Sequence, residues 1–361
     1  MNQIPKEIIE MKTAHMNRVA MYRNGLYKRP VLKQLFFEFT QNCNEKCFHC
    51  GSSCGMKRVE GELEKEEWMA IIDEVAENFK PKPMLCITGG EPLLYKDFFE
   101  VMTYAKNKGF LWGMTTNATL VNAEVAGKLK KAGMRTVSVS IDGLPETHDT
   151  QRGLKGGYER AMAGIRAMID EGFEHVQITT VVNHENIGQL DALFDIMDKI
   201  DIDSWRVINL EPIGRALDFP EKMMTKDDYR RLFSFIKEMR EQNYPVCYGC
   251  THYLGMEYER EVRDWYFICS AGRTTASVMS KGDVGACLDI ERNDRTIQGN
   301  VRQERFTDIW NNKFGIFRQD PDNIAENCKD CEHHGFCAGG SWHSYDFEND
   351  RQRMCFKDVL F

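Results

Sequence analysis

The chain has 361 residues, of which 42% are hydrophobic, and its formal net charge is −8. This length exceeds what a single core usually supports, so two structural units are expected, and the acidic balance argues against binding of a phosphate backbone, which needs a basic face. Nothing approaches a membrane-spanning run of about eighteen apolar residues. Residues 1–31 contain no signal-peptide core and are predicted to be an N-terminal extension. We therefore expect a cytoplasmic protein with neither a membrane nor a nucleic-acid partner.

The first predicted strand, within residues 33–40, leads into three closely spaced cysteines. Cys43, Cys47 and Cys50 follow the pattern C-x3-C-x2-C. Three thiolates fit a [4Fe-4S] cluster with one iron left open, whereas a structural zinc site needs four closed ligands. An open iron can bind a substrate or a cofactor. The chain has 13 cysteines, and in a reducing compartment this number favours metal ligands over disulfides.

This segment resembles the signature of the radical S-adenosylmethionine (SAM) superfamily, C-x3-C-x-φ-C, with an aromatic residue before the last cysteine. His49 holds that position. The resemblance implies that a reduced [4Fe-4S] cluster on the three cysteines binds SAM, which is cleaved to methionine and a 5′-deoxyadenosyl radical that abstracts hydrogen from an unactivated carbon. It also implies an electron donor such as flavodoxin or ferredoxin.

Apolar runs alternate with amphipathic, helix-like stretches along the first two thirds of the chain. The runs lie at about 33–40, 84–88, 110–115, 135–141, 175–182 and 204–210. Six strand–helix units predict a parallel α/β architecture, but periodicity does not separate a barrel from a doubly wound sheet. The radical SAM resemblance favours a partial (β/α)6 TIM-like barrel over residues 32–240. A cysteine-rich domain is predicted over residues 241–361.

A glycine-rich segment, Thr88-Gly89-Gly90-Glu91-Pro92, follows the second run. Two glycines let the backbone approach a ligand closely, and a carboxylate beside them can bind an ammonium group. As an isolated string the segment is more often a turn. Its place one β/α unit after the cysteines resembles the family segment that binds the methionine amino group of SAM.

Short polar side chains end the third and fourth runs, at residues 115–117 and 138–143. They suit ribose hydroxyls or a carboxylate, and they are also ordinary turn residues. The resemblance assigns Asn117 and Ser140 to the SAM site and places Arg152 opposite the SAM carboxylate, a role that a fork-shaped guanidinium would serve well. Residues 211–216, after the sixth run, resemble a family loop near the adenine.

Eight cysteines occur between Cys247 and Cys355. Part of their pattern, with Cys269 and Gly282-x4-Cys287 followed by C-x2-C-x5-C, resembles the SPASM domain, which holds auxiliary iron–sulfur clusters in many peptide-modifying radical SAM enzymes. Zinc is the alternative for an isolated C-x2-C pair. The resemblance implies two auxiliary [4Fe-4S] clusters. The second is predicted to take the full ligand set Cys328, Cys331, Cys337 and Cys355.

The family pattern continues with another cysteine where this chain has Ser341. Serine is a poor iron ligand, so the ligand set of the first auxiliary cluster departs from the family. We expect an upstream C-x2-C pair, Cys247 and Cys250, to complete this cluster with Cys269 and Cys287. If Cys247 does not ligate, the cluster has an open iron that could bind substrate.

SPASM relatives mature ribosomal peptides or oxidise a side chain of a sulfatase, so the predicted substrate is a peptide or protein, such as a ribosomal precursor peptide. An auxiliary cluster can accept the electron left on the substrate, which favours a net oxidation that forms a crosslink, a thioether or an oxidised side chain. Asp289, two residues after Cys287, is the candidate catalytic proton acceptor. Its alternative interpretation is a solvated loop carboxylate.

Three alternatives stay open. A radical SAM enzyme acting on a small molecule or cofactor precursor would turn over a metabolite without a peptide. A peptide epimerase would need a hydrogen-atom donor, for which Cys54, Cys86 or a non-ligating Cys247 could serve. A non-catalytic iron–sulfur scaffold would not require the Gly-Gly-Glu segment at barrel spacing. The sequence does not identify the substrate or the bond that is made.

Overall fold

A computed structural model describes residues 5–57, 59–249, 252–319, 328 and 330–360 of the chain. Its main sheet contains the strands β1 (Gln34–Glu38), β2 (Met84–Thr88), β3 (Trp112–Thr116), β4 (Met134–Ser140), β5 (His175–Val182), β6 (Ser204–Asn209), β7 (Val246–Tyr248), β8 (Thr275–Val278), β9 (Asp283–Gly285) and β10 (Gly299–Asn300). Two short strands, β11 (Tyr345–Asp346) and β12 (Arg351–Gln352), pair with each other.

Helices cover one face of this sheet and flank its ends. Those of the described residues are α1 (Lys6–Lys28), α2 (Lys65–Asn78), α3 (Phe98–Asn107), α4 (Ala123–Lys131), α5 (Pro145–Arg152), α6 (Gly157–Glu171), α7 (Leu190–Met197), α8 (Lys226–Glu241), α9 (Gly255–Tyr258), α10 (Phe306–Asn312), α11 (His334–Cys337) and α12 (Lys357–Leu360). None of the helices that the structure describes is long and apolar enough to cross a membrane.

The six predicted apolar runs form β1 to β6, and each strand is followed by at least one helix. Strands β1 to β7 pair in parallel, which confirms the predicted partial (β/α)6 barrel. The core lies between the strands and their helices, as where the ring of Phe37 packs 4.8 Å from that of Trp68 on α2. Because side chains alternate along a strand, the residues between these core positions face the inside of the barrel, called here the lumen.

One continuous sheet crosses the domain boundary predicted at residues 240 and 241. Strand β7 pairs with β6 at one edge, while β8 pairs in parallel with β1 on the other side of the barrel. An ion pair supports this second junction, because Arg292 donates to Glu38 over 2.6 Å. The cysteine-rich segment thus extends the barrel sheet at both of its edges.

The N-terminal extension contains α1, which packs against the cysteine-rich segment. Met16 clusters with Tyr253 and Phe267. The buried Arg23 guanidinium donates to the carbonyl oxygens of Gly335 and Phe336 over 2.9 and 2.8 Å. These contacts position the N-terminal extension beside the loop that carries the later cysteines.

Candidate active site

The three signature cysteines lie in the loop after β1, called here the cysteine loop (residues 43–55). Cys43 and Cys47 are buried, and Cys50 is partly buried. Burial, with a smaller contribution from the Cys50 thiolate, raises the pKa of Cys43 to about 11 and raises that of Cys47 as well. Cluster binding requires deprotonated thiols, so ligation must supply the positive charge that offsets this burial. The mutual proximity of the three thiols fits one [4Fe-4S] cluster.

Cys54 lies beside the signature rather than apart from it. A hydrogen bond between the Cys54 and Cys50 thiols lowers the pKa of Cys50 to about 6 and raises that of Cys54. The Cys54 side chain is only 3% exposed. The role considered for Cys54 above, as the hydrogen-atom donor of a peptide epimerase, stays a prediction.

The two glycines of the Gly-Gly-Glu segment allow β2 to press against the cysteine loop. A Cβ on Gly90 would lie 2.2 Å from the carbonyl oxygen of Asn42 and 2.9 Å from the Cβ of Cys43. A Cβ on Gly89 would lie 2.6 Å from the carbonyl oxygen of Thr40. The close approach that these glycines permit is therefore an approach to the backbone that carries Cys43.

Glu91 joins three of the predicted SAM-site segments. Its carboxylate is fully buried and accepts hydrogen bonds from the Thr116 hydroxyl at 2.8 Å and the Asn117 backbone N–H at 2.9 Å. The Asn117 side chain donates to Asn44 of the cysteine loop over 2.8 Å. Burial raises the pKa of Glu91 to about 7. Both carboxylate oxygens accept from the Thr116 hydroxyl at the end of β3, and the contact of Glu91 with the SAM amino group stays a prediction.

Arg152 is buried in a charged network beneath the cysteine loop. Its guanidinium donates to Asp142 and to Glu45, each over 2.7 Å, and His49 lies 3.2 Å from Asp142. Burial opposes ionisation of Asp142, but Arg152 and His49 hold its pKa well below the usual range. Two guanidinium nitrogens of Arg152 thus bind protein carboxylates, and its predicted contact with the SAM carboxylate stays a prediction.

Ser140 ends β4 on the lumen side, where its register partner on β5 is Thr179. Its side chain is partly buried, and no protein hydrogen bond engages its hydroxyl among the described residues. The hydroxyl is therefore placed to meet a ligand in the lumen. The assignment of Ser140 to the SAM site stays a prediction.

The loop after β6 packs against the cysteine loop and binds its backbone. Arg215 donates from its guanidinium to the carbonyl oxygens of Cys47 and Cys54 over 2.7 and 2.5 Å. Gly214 has φ +53°, and a Cβ there would meet the Cys50 carbonyl oxygen at 2.4 Å. From its sequence this loop resembles a family loop near the adenine, but the role of Arg215 becomes visible only in its contacts with the backbone carbonyl oxygens of Cys47 and Cys54.

Asp289, the predicted proton acceptor, follows β9 and is exposed. Its carboxylate oxygen lies 3.8 Å from the position that a Cβ on Gly51 would occupy. The exposed Asp289 carboxylate therefore lies beside the cysteine loop, at the same end of the barrel as the other segments predicted to bind SAM. Its catalytic role stays a prediction.

The four cysteines predicted to hold the second auxiliary cluster line one cavity of about 370 Å³. Burial, and then the neighbouring Cys355 thiolate, raise the pKa of Cys328 to about 11 and that of Cys337 to about 12. The Cys331 thiolate also raises the pKa of both thiols, through electrostatic repulsion. Four thiols converging on one cavity match the ligand set of a closed [4Fe-4S] cluster.

The ligand set of the first auxiliary cluster is less complete in the structure. Cys247 lies on β7 opposite Arg206 of β6, and Cys269 and Cys287 are partly buried against the main core. Cys250 lies outside the described residues. Ser341 is buried, and its hydroxyl lies 3.3 Å from both His343 Nε2 and Ser344 Oγ. The assignment of the four cysteines to this cluster stays a prediction.

Two family models match the chain. That of the radical SAM superfamily matches residues 37–197, and that of the SPASM iron–sulfur cluster-binding domain matches residues 269–332. The first covers the cysteine loop and the Gly-Gly-Glu segment. The second covers Cys269, Cys287, Cys328 and Cys331.

Similar proteins include enzymes named as heme or Fe-coproporphyrin III synthases and enzymes named as mycofactocin maturases. The AdoMet-dependent heme synthase of Methanosarcina barkeri is 32% identical over 87% of this chain and 92% of its own length. Mycofactocin maturase MftC of Mycobacterium ulcerans is 31% identical over 91% of this chain and 87% of its own length.

Among solved structures, SuiB of Streptococcus suis bound to the precursor peptide SuiA superposes with a TM-score of 0.71. It covers 100% of this chain and 84% of SuiB at 18% identity, so this likeness shows the fold. Together with the cysteine loop and the auxiliary cavity, these similarities show that the chain belongs to the radical SAM superfamily, as an enzyme with a C-terminal SPASM domain that uses SAM and [4Fe-4S] clusters.

Proposed function

We propose that this enzyme uses the 5′-deoxyadenosyl radical to remove hydrogen from a peptide or protein substrate in a net oxidation that forms a crosslink, a thioether or an oxidised side chain. The proposal of a net oxidation rests on one observation, the cavity lined by Cys328, Cys331, Cys337 and Cys355. These cysteines give the chain a second redox site, which a net oxidation needs and a redox-neutral isomerisation does not. Flavodoxin or ferredoxin is the proposed electron donor.

The polar lumen supports a peptide substrate. The Ser138 and Thr179 hydroxyls, on neighbouring strands of the lumen, lie 2.7 Å apart. Peptide groups carry donors and acceptors that must be paired when they leave water, and such side chains can pair them. The similarity to the maturase MftC points in the same direction.

A small cofactor precursor that carries carboxylates, such as a tetrapyrrole, is the second candidate. The relatives named AdoMet-dependent heme synthase and Fe-coproporphyrin III synthase support it, at 32% and 29% identity. Arg206 supports it from the structure, because it lies on the lumen side of β6 and forms no ion pair with a carboxylate among the described residues. A guanidinium in that position can bind an anionic group of a ligand.

Asp289 is the proposed proton acceptor after hydrogen abstraction. Its exposed carboxylate, next to the cysteine loop, can meet a substrate there. Replacing it with Asn should abolish product formation while SAM cleavage without substrate continues. An Asp289→Asn enzyme that forms product at the wild-type rate would remove this role.

The two substrate classes can be separated with one assay. Reconstituted enzyme, SAM and reductant are incubated with a small-peptide fraction of cell extract, with the same fraction after protease digestion, and with Fe-coproporphyrin III. The proposal predicts that only the undigested fraction stimulates 5′-deoxyadenosine formation and that a peptide of this fraction loses the mass of the hydrogens removed. Stimulation by the tetrapyrrole alone would establish the second candidate. Peptide-dependent turnover with unchanged product mass would instead indicate an epimerase.

A further inference from the structure

Three side chains from separate parts of the chain meet at the end of β6. Glu211 follows this strand, His252 follows β7, and His343 precedes β11. His252 Nε2 lies 3.0 Å from one carboxylate oxygen of Glu211 and 3.3 Å from the other. His343 Nε2 lies 3.8 Å from Glu211 Oε1. One ligand atom from each residue lies within 4.8 Å of those of the other two.

This cluster is buried and held in place by its neighbours. The side chains of Glu211, His252 and His343 are 8%, 4% and 13% exposed. The Asn209 side-chain amide donates to Glu211 over 2.9 Å, and the Tyr248 hydroxyl in turn donates to Asn209. Hydrogen bonds of this kind fix the direction of a ligating carboxylate.

We infer that Glu211, His252 and His343 form a binding site for one divalent transition-metal ion. Two imidazoles and one carboxylate are a donor set that suits Zn²⁺ and Fe²⁺. Metal–ligand distances of about 2.0–2.2 Å place tetrahedral ligands roughly 3.3–3.6 Å apart. The distances of 3.0 and 3.8 Å from the imidazoles to Glu211 bracket that spacing, so small side-chain movements suffice to admit the ion.

The segments that carry the cluster also reach the cysteine loop and the cavity of Cys328, Cys331, Cys337 and Cys355. The segment that begins at Glu211 continues to Gly214 and Arg215, which contact the cysteine loop. His252 lines the cavity of the auxiliary cysteines. Three protein ligands leave the ion a further coordination position, which suits a carboxylate or carbonyl oxygen. Such an oxygen could belong to the substrate, and this substrate-binding role rests on the proposed function. The binding of the metal ion itself does not depend on it.

The competing interpretation is an ion pair without a metal. Burial opposes protonation of His343, but its hydrogen bond to Glu211 raises its pKa to about 9. A charged imidazolium beside Glu211 would then join the C-terminal segment to the barrel. A metal ion must displace that proton, so the two interpretations exclude each other and can be told apart by metal content.

The test uses the full, anaerobically reconstituted enzyme. After incubation with zinc alone and desalting, zinc and iron are both counted by mass spectrometry for the wild type, Glu211→Gln and His343→Gln. His184→Gln is the matched control, because His184 also pairs with a carboxylate, Asp228 at 2.7 Å, but is exposed and lies apart from the cluster. We expect about one zinc per chain for the wild type and the control, and a loss of at least about tenfold in both cluster variants.

Iron content and zinc X-ray absorption make the result decisive. Iron equal to that of the wild type shows that the variants fold and hold their clusters. Nitrogen and oxygen scatterers at about 2.0–2.2 Å from zinc support the site, whereas sulfur at about 2.3 Å would show zinc on cysteines and overturn the inference. Equal zinc in all four proteins, or no zinc in any of them, would overturn it too. Loss of about four irons in His343→Gln would assign His343 to an auxiliary cluster instead.

Discussion

Replacing Gly90 with Ala tests whether the Gly-Gly-Glu segment acts by fitting against the cysteine loop. The added Cβ would lie 2.2 Å from the Asn42 carbonyl oxygen, 2.6 Å from the Asn42 carbonyl carbon and 2.9 Å from the Cys43 Cβ. Ordinary contacts between such atoms begin at roughly 3.4 Å, so the backbone beside Cys43 must move by about 1 Å. These neighbours are backbone and the first atom of a side chain, which cannot rotate away.

A shift of about 1 Å is large for a group that must hold reactants in place, and such misplacement can lower a rate by about 100-fold. Overpacking adds a destabilisation of about 1–3 kcal/mol. We therefore expect Gly90→Ala to lose about four irons per chain and to lower 5′-deoxyadenosine formation by at least about 100-fold. Iron content and liquid chromatography of the nucleoside products measure both effects.

Gly55→Ala is the matched control for Gly90→Ala. Gly55 lies in the cysteine loop against which Gly90 packs, and its carbonyl oxygen accepts a hydrogen bond from the Cys43 backbone N–H, but a Cβ on Gly55 would meet nothing within 4 Å. This variant should retain iron and SAM cleavage. The steric reasoning would be refuted if Gly90→Ala kept wild-type iron and activity, or if Gly55→Ala lost as much as Gly90→Ala.

Three further predictions concern the side chains of Glu91, Arg215 and Cys355. Burial raises the pKa of Glu91 to about 7, so the Glu91 carboxyl binds its proton more tightly in the folded than in the unfolded protein. This tighter proton binding stabilises the fold. The stabilisation is full below the pKa of the unfolded state and is lost as pH rises through about 7. Glu91→Gln should therefore show a smaller fall of Tm between pH of about 5 and about 8 than the wild type, and an equal fall would contradict this. Arg215→Met should lower SAM cleavage roughly tenfold or more by releasing two carbonyl oxygens of the cysteine loop, while the exposed control Arg230→Met should not change it. Cys355→Ala should lose about four irons yet keep SAM cleavage without substrate, and unchanged iron would remove Cys355 from the ligand set.

The barrel strands could be predicted from the sequence because each is a short apolar run bounded by turns. The runs at 84–88 and 175–182 coincide with β2 and β5 in full. The three signature cysteines could likewise be recognised from their spacing, whereas Gly90 was singled out by the resemblance of its segment to the radical SAM family. A short sequence pattern is sufficient to predict an element when the element forms because its own residues are buried or let the backbone approach closely.

Features that depend on distant parts of the chain could not be predicted. Strand β8 is four residues long and becomes recognisable only by its pairing with β1. The docking of α1 depends on bonds such as that from Arg23 to Phe336, which are 313 positions apart. Glu211 and His343 are separated by more than a hundred residues and share no motif, so only the fold brings them together.

The most direct test of the account is the iron and acid-labile sulfide content of the anaerobically reconstituted wild type and of the triple variant Cys43→Ala, Cys47→Ala, Cys50→Ala, measured together with SAM cleavage. Three four-iron clusters predict about twelve irons in the wild type and about eight in the variant, with 5′-deoxyadenosine formed by the wild type alone. About eight irons in the wild type would mean that the first auxiliary cluster is absent, in line with Ser341. Zinc in place of iron, or SAM cleavage by the triple variant, would contradict the account.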